Sequence, residues 1–246
     1  MTDRLVGTVL TLPGATAAEL LAAPFDVVWV DLEHGALGPL EAQEAILGAQ
    51  AAGTAAFVRL PADAHRLMTV ALDAGADGVV LADVRDAATA ADAVARVAHP
   101  PRGTRGWGPR RLSLRGRRNG LELPRPAVWA QIESAEGVAC AERIAAVPGV
   151  DALVVGTADL SFSVGAPLDL RTPELLDAVD AVRRACDGRG VAFGVAGALD
   201  AAPAAMLAGA SIYVHSTDAR VCAGAVDGAA GWLRTFTDPD SEAISS

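Results

Sequence analysis

The sequence predicts an α/β fold, a (β/α)8 barrel of the TIM-barrel kind, from three observations. Eight short β-branched runs recur along the chain, Ala-rich segments of helical character lie between them, and 246 residues suit one large α/β domain. A doubly wound open sheet is the alternative. However, the Thr-Leu-Pro-Gly segment after the first run is neither a dinucleotide-binding glycine fingerprint nor a P-loop. We therefore predict one barrel domain over residues 1–236 and a disordered tail over 237–246.

The predicted strands are apolar runs bounded by turn residues. They are Leu5–Leu10, Val27–Asp31, Ala55–Arg59, Gly78–Leu81, Val128–Glu133, Ala152–Val155, Val191–Gly194 and Ser211–Val214. The predicted helices lie near residues 17–22, 39–52, 63–74, 86–97, 135–146, 173–188, 199–208 and 217–234. One long gap, from His99 to Ala127, contains eight arginines. A gap of this length is either a solvated loop or a functional segment, here an anion-facing lid or a subunit contact.

Composition excludes several classes of protein. The formal net charge of −10 argues against general nucleic-acid binding. No uninterrupted apolar run approaches the roughly 18 residues that a membrane span needs, and the first residues do not have the pattern of a signal peptide. The three cysteines, Cys140, Cys186 and Cys222, are odd in number and far apart, which favours a reducing cytoplasm over a disulfide framework or a zinc site.

All 20 basic residues are arginines, and the chain contains no lysine. A biased genome that replaces Lys with Arg is sufficient to explain the absence of lysine, but this absence has a chemical consequence whatever its cause. A Schiff base to a carbonyl substrate or to pyridoxal phosphate requires a lysine amine. Imine and pyridoxal phosphate chemistry are therefore excluded.

Polar residues follow several of the predicted strands. Each has an ordinary explanation, such as a turn, a helix cap or a surface position. Because the carboxyl ends of barrel strands converge on one cavity, we nevertheless expect these residues to form one site. They are Asp31, Glu33 and His34 after the second strand, Arg59 at the third, Gln131 and Glu133 at the fifth, and Asp159 after the sixth.

These residue types suggest a chemistry. Two carboxylates on adjacent strands, Glu133 and Asp159, form a hard oxygen site that suits Mg²⁺ or Mn²⁺. An arginine such as Arg59 matches a carboxylate bidentately, and a histidine such as His34 is a base near neutral pH. The combination predicts a site that binds a 2-oxo acid and makes or breaks a bond through its enolate.

Six segments together resemble the HpcH/HpaI family of class II pyruvate aldolases, which includes 2,4-dihydroxyhept-2-ene-1,7-dioate aldolase. They are FDVVWVDLEHG, AFVRL, ALDAGADGVV, PPRGTRGWG, WAQIESAEG and GTADLS, and the likeness extends over about residues 5–235. The resemblance implies a barrel of the phosphoenolpyruvate/pyruvate type. It also implies that the protein is an aldolase that cleaves or forms a 4-hydroxy-2-oxo acid from pyruvate and an aldehyde.

The resemblance assigns a role to each matching residue. Glu133 and Asp159 would ligate Mg²⁺ or Mn²⁺, with Co²⁺ as a further candidate. Arg59 would neutralise the enolate, and His34, oriented by Asp73, would act as the base.

Further residues would contact the substrate. Asp31 and Gln131 would support the site, and backbone amides at Gly156, Thr157 and Ala158 would receive the pyruvate carboxylate. Glu33 is expected to have a structural or supporting role.

Departures from the family pattern leave the acceptor substrate open. Thr157 replaces a common proline, and Asp83 follows the fourth strand where the family commonly has a Val-Pro segment. Asp83 either remodels the pocket or caps the next helix.

Two other enzyme functions would proceed through the same enolate, and a third alternative is not catalytic. A citrate-lyase β-like acyl-CoA lyase and a 2-oxo-dicarboxylate decarboxylase would share the metal site, whereas a non-catalytic scaffold would bind no metal. The resemblance further implies a homotrimer or homohexamer, with the last helix packed on a neighbouring subunit.

Overall fold

The strands form one closed parallel sheet in the computed structural model, which describes residues 4–108, 111 and 125–236. The strands are β1 (Leu5–Leu10), β2 (Val27–Asp31), β3 (Ala55–Pro61), β4 (Gly78–Ala82), β5 (Ala127–Ile132), β6 (Ala152–Gly156), β7 (Ala192–Gly197) and β8 (Ile212–Thr217). Each pairs in parallel with the next, and β8 closes the barrel against β1. The predicted (β/α)8 barrel is therefore confirmed.

Helices connect the strands and cover the outside of the sheet. They are α1 (Ala15–Ala22), α2 (Pro39–Ala51), α3 (His65–Ala74), α4 (Ala87–Val97), α5 (Ala135–Ala145), α6 (Thr157–Ser163), α7 (Pro173–Asp187), α8 (Ala204–Leu207) and α9 (Asp218–Thr235). In the described ranges, no helix combines the length and the apolar character that a membrane-spanning segment requires. Much of the arginine-rich gap and the whole predicted tail at 237–246 lie outside the described residues.

Two helices differ from the sequence prediction. The predicted helix over 199–208 is wrong before Pro203, and only Ala204–Leu207 is helical. Proline lacks an N–H and disfavours helical backbone at the preceding residue, so the helix begins after it. The short helix Thr157–Ser163 was not predicted, because seven residues are too few to show a helical hydrophobic period.

The barrel interior is filled by side chains from alternate positions on the strands. Trp29, Phe57 and Trp129 are the large members, and the Phe57 and Trp129 ring centroids lie 4.3 Å apart. Gly78 on β4 makes room for Phe57, since a Cβ there would lie 2.5 Å from a carbon of the ring. Because side chains alternate along a strand, the next inward positions toward the carboxyl end are the polar residues Asp31, Arg59 and Gln131.

Three aspartates close the amino-terminal end of the barrel in the same way. Asp26, Asp77 and Asp151 directly precede β2, β4 and β6. Each carboxylate accepts a hydrogen bond from a backbone N–H of the preceding strand, from Val6 at 2.9 Å, Ala56 at 2.9 Å and Val128 at 2.7 Å respectively. These acids therefore join neighbouring strands at the end of the barrel opposite the candidate site.

The contact between Gly78 and Phe57 can be tested by substitution. Gly78→Ala should lower the free energy of unfolding by about 1–3 kcal/mol, because the new methyl group overpacks the barrel interior. Gly188→Ala is the matched control, since a Cβ there has its nearest neighbour at 3.4 Å and the backbone φ is −65°. Denaturant unfolding should show a change below about 1 kcal/mol for this control. Equal stability of the two variants would contradict this description of the interior.

Candidate active site

An arginine–carboxylate pair lies at the carboxyl ends of β2 and β3. Arg59 donates from Nε to Asp31 Oδ1 at 3.0 Å and from Nη2 to Asp31 Oδ2 at 2.7 Å. Burial by itself would raise the pKa of Asp31, but the hydrogen bonds and charge of Arg59, with the backbone N–H groups of Glu33 and His34, lower it below its usual value. The same partner raises the pKa of Arg59. Both groups are therefore charged, and the guanidinium is held in one orientation.

Glu133 is the most perturbed carboxylate of the site. It is 6% exposed, and its Oε1 accepts a hydrogen bond from the Asp83 N–H at 2.7 Å while Oε2 accepts one from Gln131. Burial raises the pKa of Glu133 to about 8, and the negative charges of Glu33 and Asp159 act in the same direction. A positive charge placed beside Glu133 would offset the free-energy cost of ionising this buried carboxylate.

Glu33 faces the same cluster of acids. Its Oε2 lies 3.4 Å from Arg59 Nε and 3.7 Å from His34 Nε2, but this buried oxygen accepts no hydrogen bond. Burial raises the pKa of Glu33, the nearby Arg59 and His34 partly oppose the shift, and Asp31 and Asp159 add to it. Only a structural or supporting role is expected for Glu33 from the sequence, because strand alternation does not determine the direction of a loop side chain.

The sixth strand approaches Glu133 closely because its last residue is a glycine. A Cβ at Gly156 would lie 2.5 Å from both Glu133 Oε2 and Gln131 Nε2. The chain then enters α6, where Thr157 is buried and donates its hydroxyl to Ala196 O at 3.1 Å. Ala158 and Asp159 are exposed in the first turn. Gly156 therefore leaves open the space between Glu133 and the helix that carries Asp159.

The donor set fits a divalent cation that prefers oxygen ligands. Glu133, Asp159 and Glu33 bring three carboxylates within electrostatic range of one another, and the guanidinium that acts on Glu33 and Glu133, that of Arg59, is already bound to Asp31. Gln131 Oε1 is buried without a hydrogen-bond partner. Within the described residues, no three His, Cys, Asp or Glu side chains are grouped tightly enough to form a complete ligand set. An ion here would therefore keep positions for water and substrate, as Mg²⁺ and Mn²⁺ commonly do.

His34 and Asp73 are not brought together within one chain. His34 lies at the mouth of the barrel with its side chain 65% exposed. Asp73 lies near the end of α3, toward the opposite end of the barrel, because helices of this fold run antiparallel to the strands. There the carboxylate accepts a hydrogen bond from Arg105 Nη2 at 2.8 Å, and the Arg105 side chain is 4% exposed. Asp73 is thus ion-paired away from this chain's own site.

Asp218, which is not among the site residues predicted from the sequence, fixes the loop after β1 at the mouth. The residue is 2% exposed and accepts hydrogen bonds from the Thr11 N–H at 2.9 Å, the Thr11 hydroxyl at 2.6 Å and the Leu12 N–H at 3.0 Å. Its place directly after the last strand was the available signal. It was not used, because an Asp at the start of a helix is common.

Comparison with known proteins decides the family. Residues 9–224 match the model of the HpcH/HpaI aldolase/citrate lyase family. The chain belongs to this family. A hydroxypyruvate/pyruvate aldolase of Rhizorhabdus wittichii is 33% identical over 195 residues, which cover 76% of each chain. A 2-dehydro-3,6-dideoxy-6-sulfogluconate aldolase of Pseudomonas putida is 36% identical over 198 residues, which cover 78% of this chain and 77% of the relative.

A solved structure agrees with the family assignment. An HpcH/HpaI aldolase/citrate lyase family protein from Burkholderia cenocepacia superposes with a TM-score of 0.82 at 34% identity, over 95% of each chain. The family resemblance stated from the sequence motifs is confirmed.

The raised pKa of Glu133 predicts a pH dependence of stability in the metal-free protein. The folded-state pKa of about 8 exceeds the ordinary value of 4.5, so the folded protein binds more protons than the unfolded chain between these values. The contribution of Glu133 to stability should therefore be lost as pH rises from about 4.5 to about 8, by at most about 1.4 kcal/mol per pH unit.

Glu133→Gln isolates this effect. In the presence of a chelator, the unfolding free energy of Glu133→Gln minus that of the wild-type protein should increase with pH across this window. Glu142→Gln, at a glutamate whose side chain is 73% exposed, serves as the control. A difference that does not vary with pH would show that Glu133 is ionised throughout.

Proposed function

We propose that this protein is a divalent-metal-dependent pyruvate aldolase that cleaves or forms a 4-hydroxy-2-oxo acid. The observation that carries the proposal is Glu133, a buried carboxylate with a pKa raised to about 8 beside Glu33 and Asp159. Membership of the family and relatives named as aldolases support the reaction class. The chain has no lysine, so an enolate rather than an imine must carry the chemistry.

Glu133 and Asp159 would hold the metal, with Mg²⁺ or Mn²⁺ the best match to oxygen ligands and Co²⁺ a further candidate. The ion would supply Lewis-acid stabilisation of negative charge on the 2-oxo acid. Arg59, whose orientation Asp31 fixes, would place its charge beside the same oxygens. Gln131 orients Glu133 through its amide N–H.

The remaining residues would bind the carboxylate of the substrate and transfer the proton of its C4 hydroxyl. The carboxylate of the 2-oxo acid would be received by backbone amides of Gly156, Thr157 and Ala158, as the family resemblance implies. The missing side chain of Gly156 and the exposure of Ala158 support this assignment. His34 Nε2, at the mouth, would take the proton from the C4 hydroxyl during cleavage and return it during condensation.

Hydrogen exchange of pyruvate tests the metal and the enolate directly. In D₂O with Mg²⁺, the protein should exchange the methyl protons of pyruvate, EDTA should abolish the exchange, and added Mg²⁺ should restore it. Glu133→Gln and Asp159→Asn should each slow the exchange about a thousandfold, because the charge that stabilises the enolate is lost. NMR of the methyl signal gives the rate.

Asp92→Asn is the matched control, because this aspartate pairs with Arg96 on the surface of α4. Its exchange rate should equal that of the wild-type protein. Exchange that persists in EDTA, or in both site variants, would overturn the proposal. Release of pyruvate from 4-hydroxy-2-oxopentanoate then distinguishes an aldolase from an acyl-CoA lyase or a decarboxylase acting through the same enolate.

We also propose that the chain assembles as a homotrimer or homohexamer. Apart from Asp218, no residue of α9 in the described range is buried, and its large apolar side chains are between 50% and 66% exposed. They are Val221, Val226, Trp232, Leu233 and, directly after the helix, Phe236. A second copy of the chain would cover this surface. A His34–Asp73 pair also requires two copies, since the two residues lie toward opposite ends of one barrel.

Light scattering after size exclusion should give three or six times the chain mass of 24.9 kDa. Trp232→Asp should shift the protein to smaller species, because a charge is placed in the covered apolar surface. Leu20→Asp on α1, at a leucine that is 74% exposed, should leave the mass unchanged. A wild-type protein that elutes as a single chain would refute the assembly.

A further inference from the structure

The turn after β4 has an unusual backbone conformation at the candidate active site. Asp83 has a φ of 48°, in the left-handed region that residues other than glycine, asparagine and aspartate rarely adopt. Its backbone N–H donates to Glu133 Oε1 at 2.7 Å. The left-handed conformation therefore occurs at the residue that directs a backbone donor at the candidate metal ligand.

The side chain of Asp83 is not the cap of the following helix. Asp86 performs that role, since its Oδ1 accepts a hydrogen bond from the Thr89 N–H at 2.8 Å. Asp83 Oδ2 instead accepts a hydrogen bond from Arg85 Nε at 2.8 Å, and Arg85 Nη2 forms an ion pair with the same oxygen at 2.7 Å. Arg85 Nη1 in turn reaches Glu136 Oε2 at 3.3 Å, in the first turn of α5.

These contacts connect the turn to Glu133 and to α5, the helix that follows Glu133 along the chain. The ion pair between Arg85 and the Asp83 side chain stabilises the turn, and the left-handed backbone of Asp83 sets the direction of its N–H. Gln131 supplies the second donor, to the other oxygen of Glu133. One donor on each oxygen fixes the plane of the carboxylate and leaves a lone pair on each oxygen for another partner.

We propose that Asp83 is a positioning residue, whose left-handed backbone orients the Glu133 carboxylate for the metal through the N–H donor. The inference rests on the proposed function, because it takes Glu133 as a metal ligand. The residue type at position 83 should affect the orientation of Glu133 mainly by permitting or disfavouring the left-handed backbone conformation. Asparagine and glycine also adopt the left-handed region, whereas a β-branched residue such as valine does so at a high cost.

Mn²⁺ affinity, measured from the electron paramagnetic resonance signal of free Mn²⁺, tests the inference without any turnover. D83N and D83G should bind Mn²⁺ within about threefold of the wild-type affinity, whereas D83V should bind about tenfold more weakly. D83A, which loses the carboxylate without gaining the freedom of glycine, should also bind more weakly and serves if D83V does not fold. Thermal unfolding of each variant separates a loss of affinity from a general loss of stability.

Two results would overturn the inference. One is wild-type Mn²⁺ affinity in folded D83V and D83A. The other is an equal loss in D83N, D83G and D83A, which would assign the effect to the carboxylate charge instead of the backbone. E133Q separates a failure of this inference from a failure of the proposed function. If the wild-type protein binds no Mn²⁺, or if E133Q binds Mn²⁺ as tightly as the wild-type protein, the proposed function itself fails.

Discussion

A buried carboxylate surrounded by like charges is the constraint on which the mouth of this barrel depends. Glu133 is 6% exposed, and burial together with Glu33 and Asp159 raises its pKa to about 8. Such a group is costly to ionise unless a cation or several donors stabilise it. The amide of Gln131 and the N–H of Asp83 each donate a hydrogen bond to the Glu133 carboxylate, and Gly156 leaves space beside it. None of them supplies a positive charge.

The positive charge of Arg59, which acts on Glu33 and Glu133, is already paired with Asp31. Arg59 forms a bidentate pair with Asp31, so the two groups together carry no net charge and the guanidinium is held rigidly. The pair can therefore position an anionic substrate, while the charge of Arg59 offsets the raised pKa values of Glu33 and Glu133 only in part. A chain without lysine has no ammonium group that could take this place either. The charge balance of the site favours a bound divalent cation, in agreement with the family to which the chain belongs.

The sequence predicts the barrel and much of its mouth because both follow from periodicity. Strand alternation places Asp31, Arg59 and Gln131 inward, above the aromatic interior. Features of loops could not be predicted in this way. The direction of the Glu33 side chain depends on a loop, and residue type alone does not determine the φ of Asp83, because aspartate adopts the left-handed region only occasionally. The family motif pairs Asp73 with His34, but the helix predicted over 63–74 already implies that Asp73 lies at the amino-terminal end of the barrel, so this location could be predicted from the sequence.

The most direct test of the account is a crystal soaked with Mn²⁺ and pyruvate, with data collected for the anomalous signal of manganese. One strong anomalous peak should appear in contact with carboxylate oxygens of Glu133 and Asp159, with the pyruvate on the side of Arg59. A structure in which pyruvate binds while no manganese contacts Glu133, or in which manganese binds elsewhere, would contradict it.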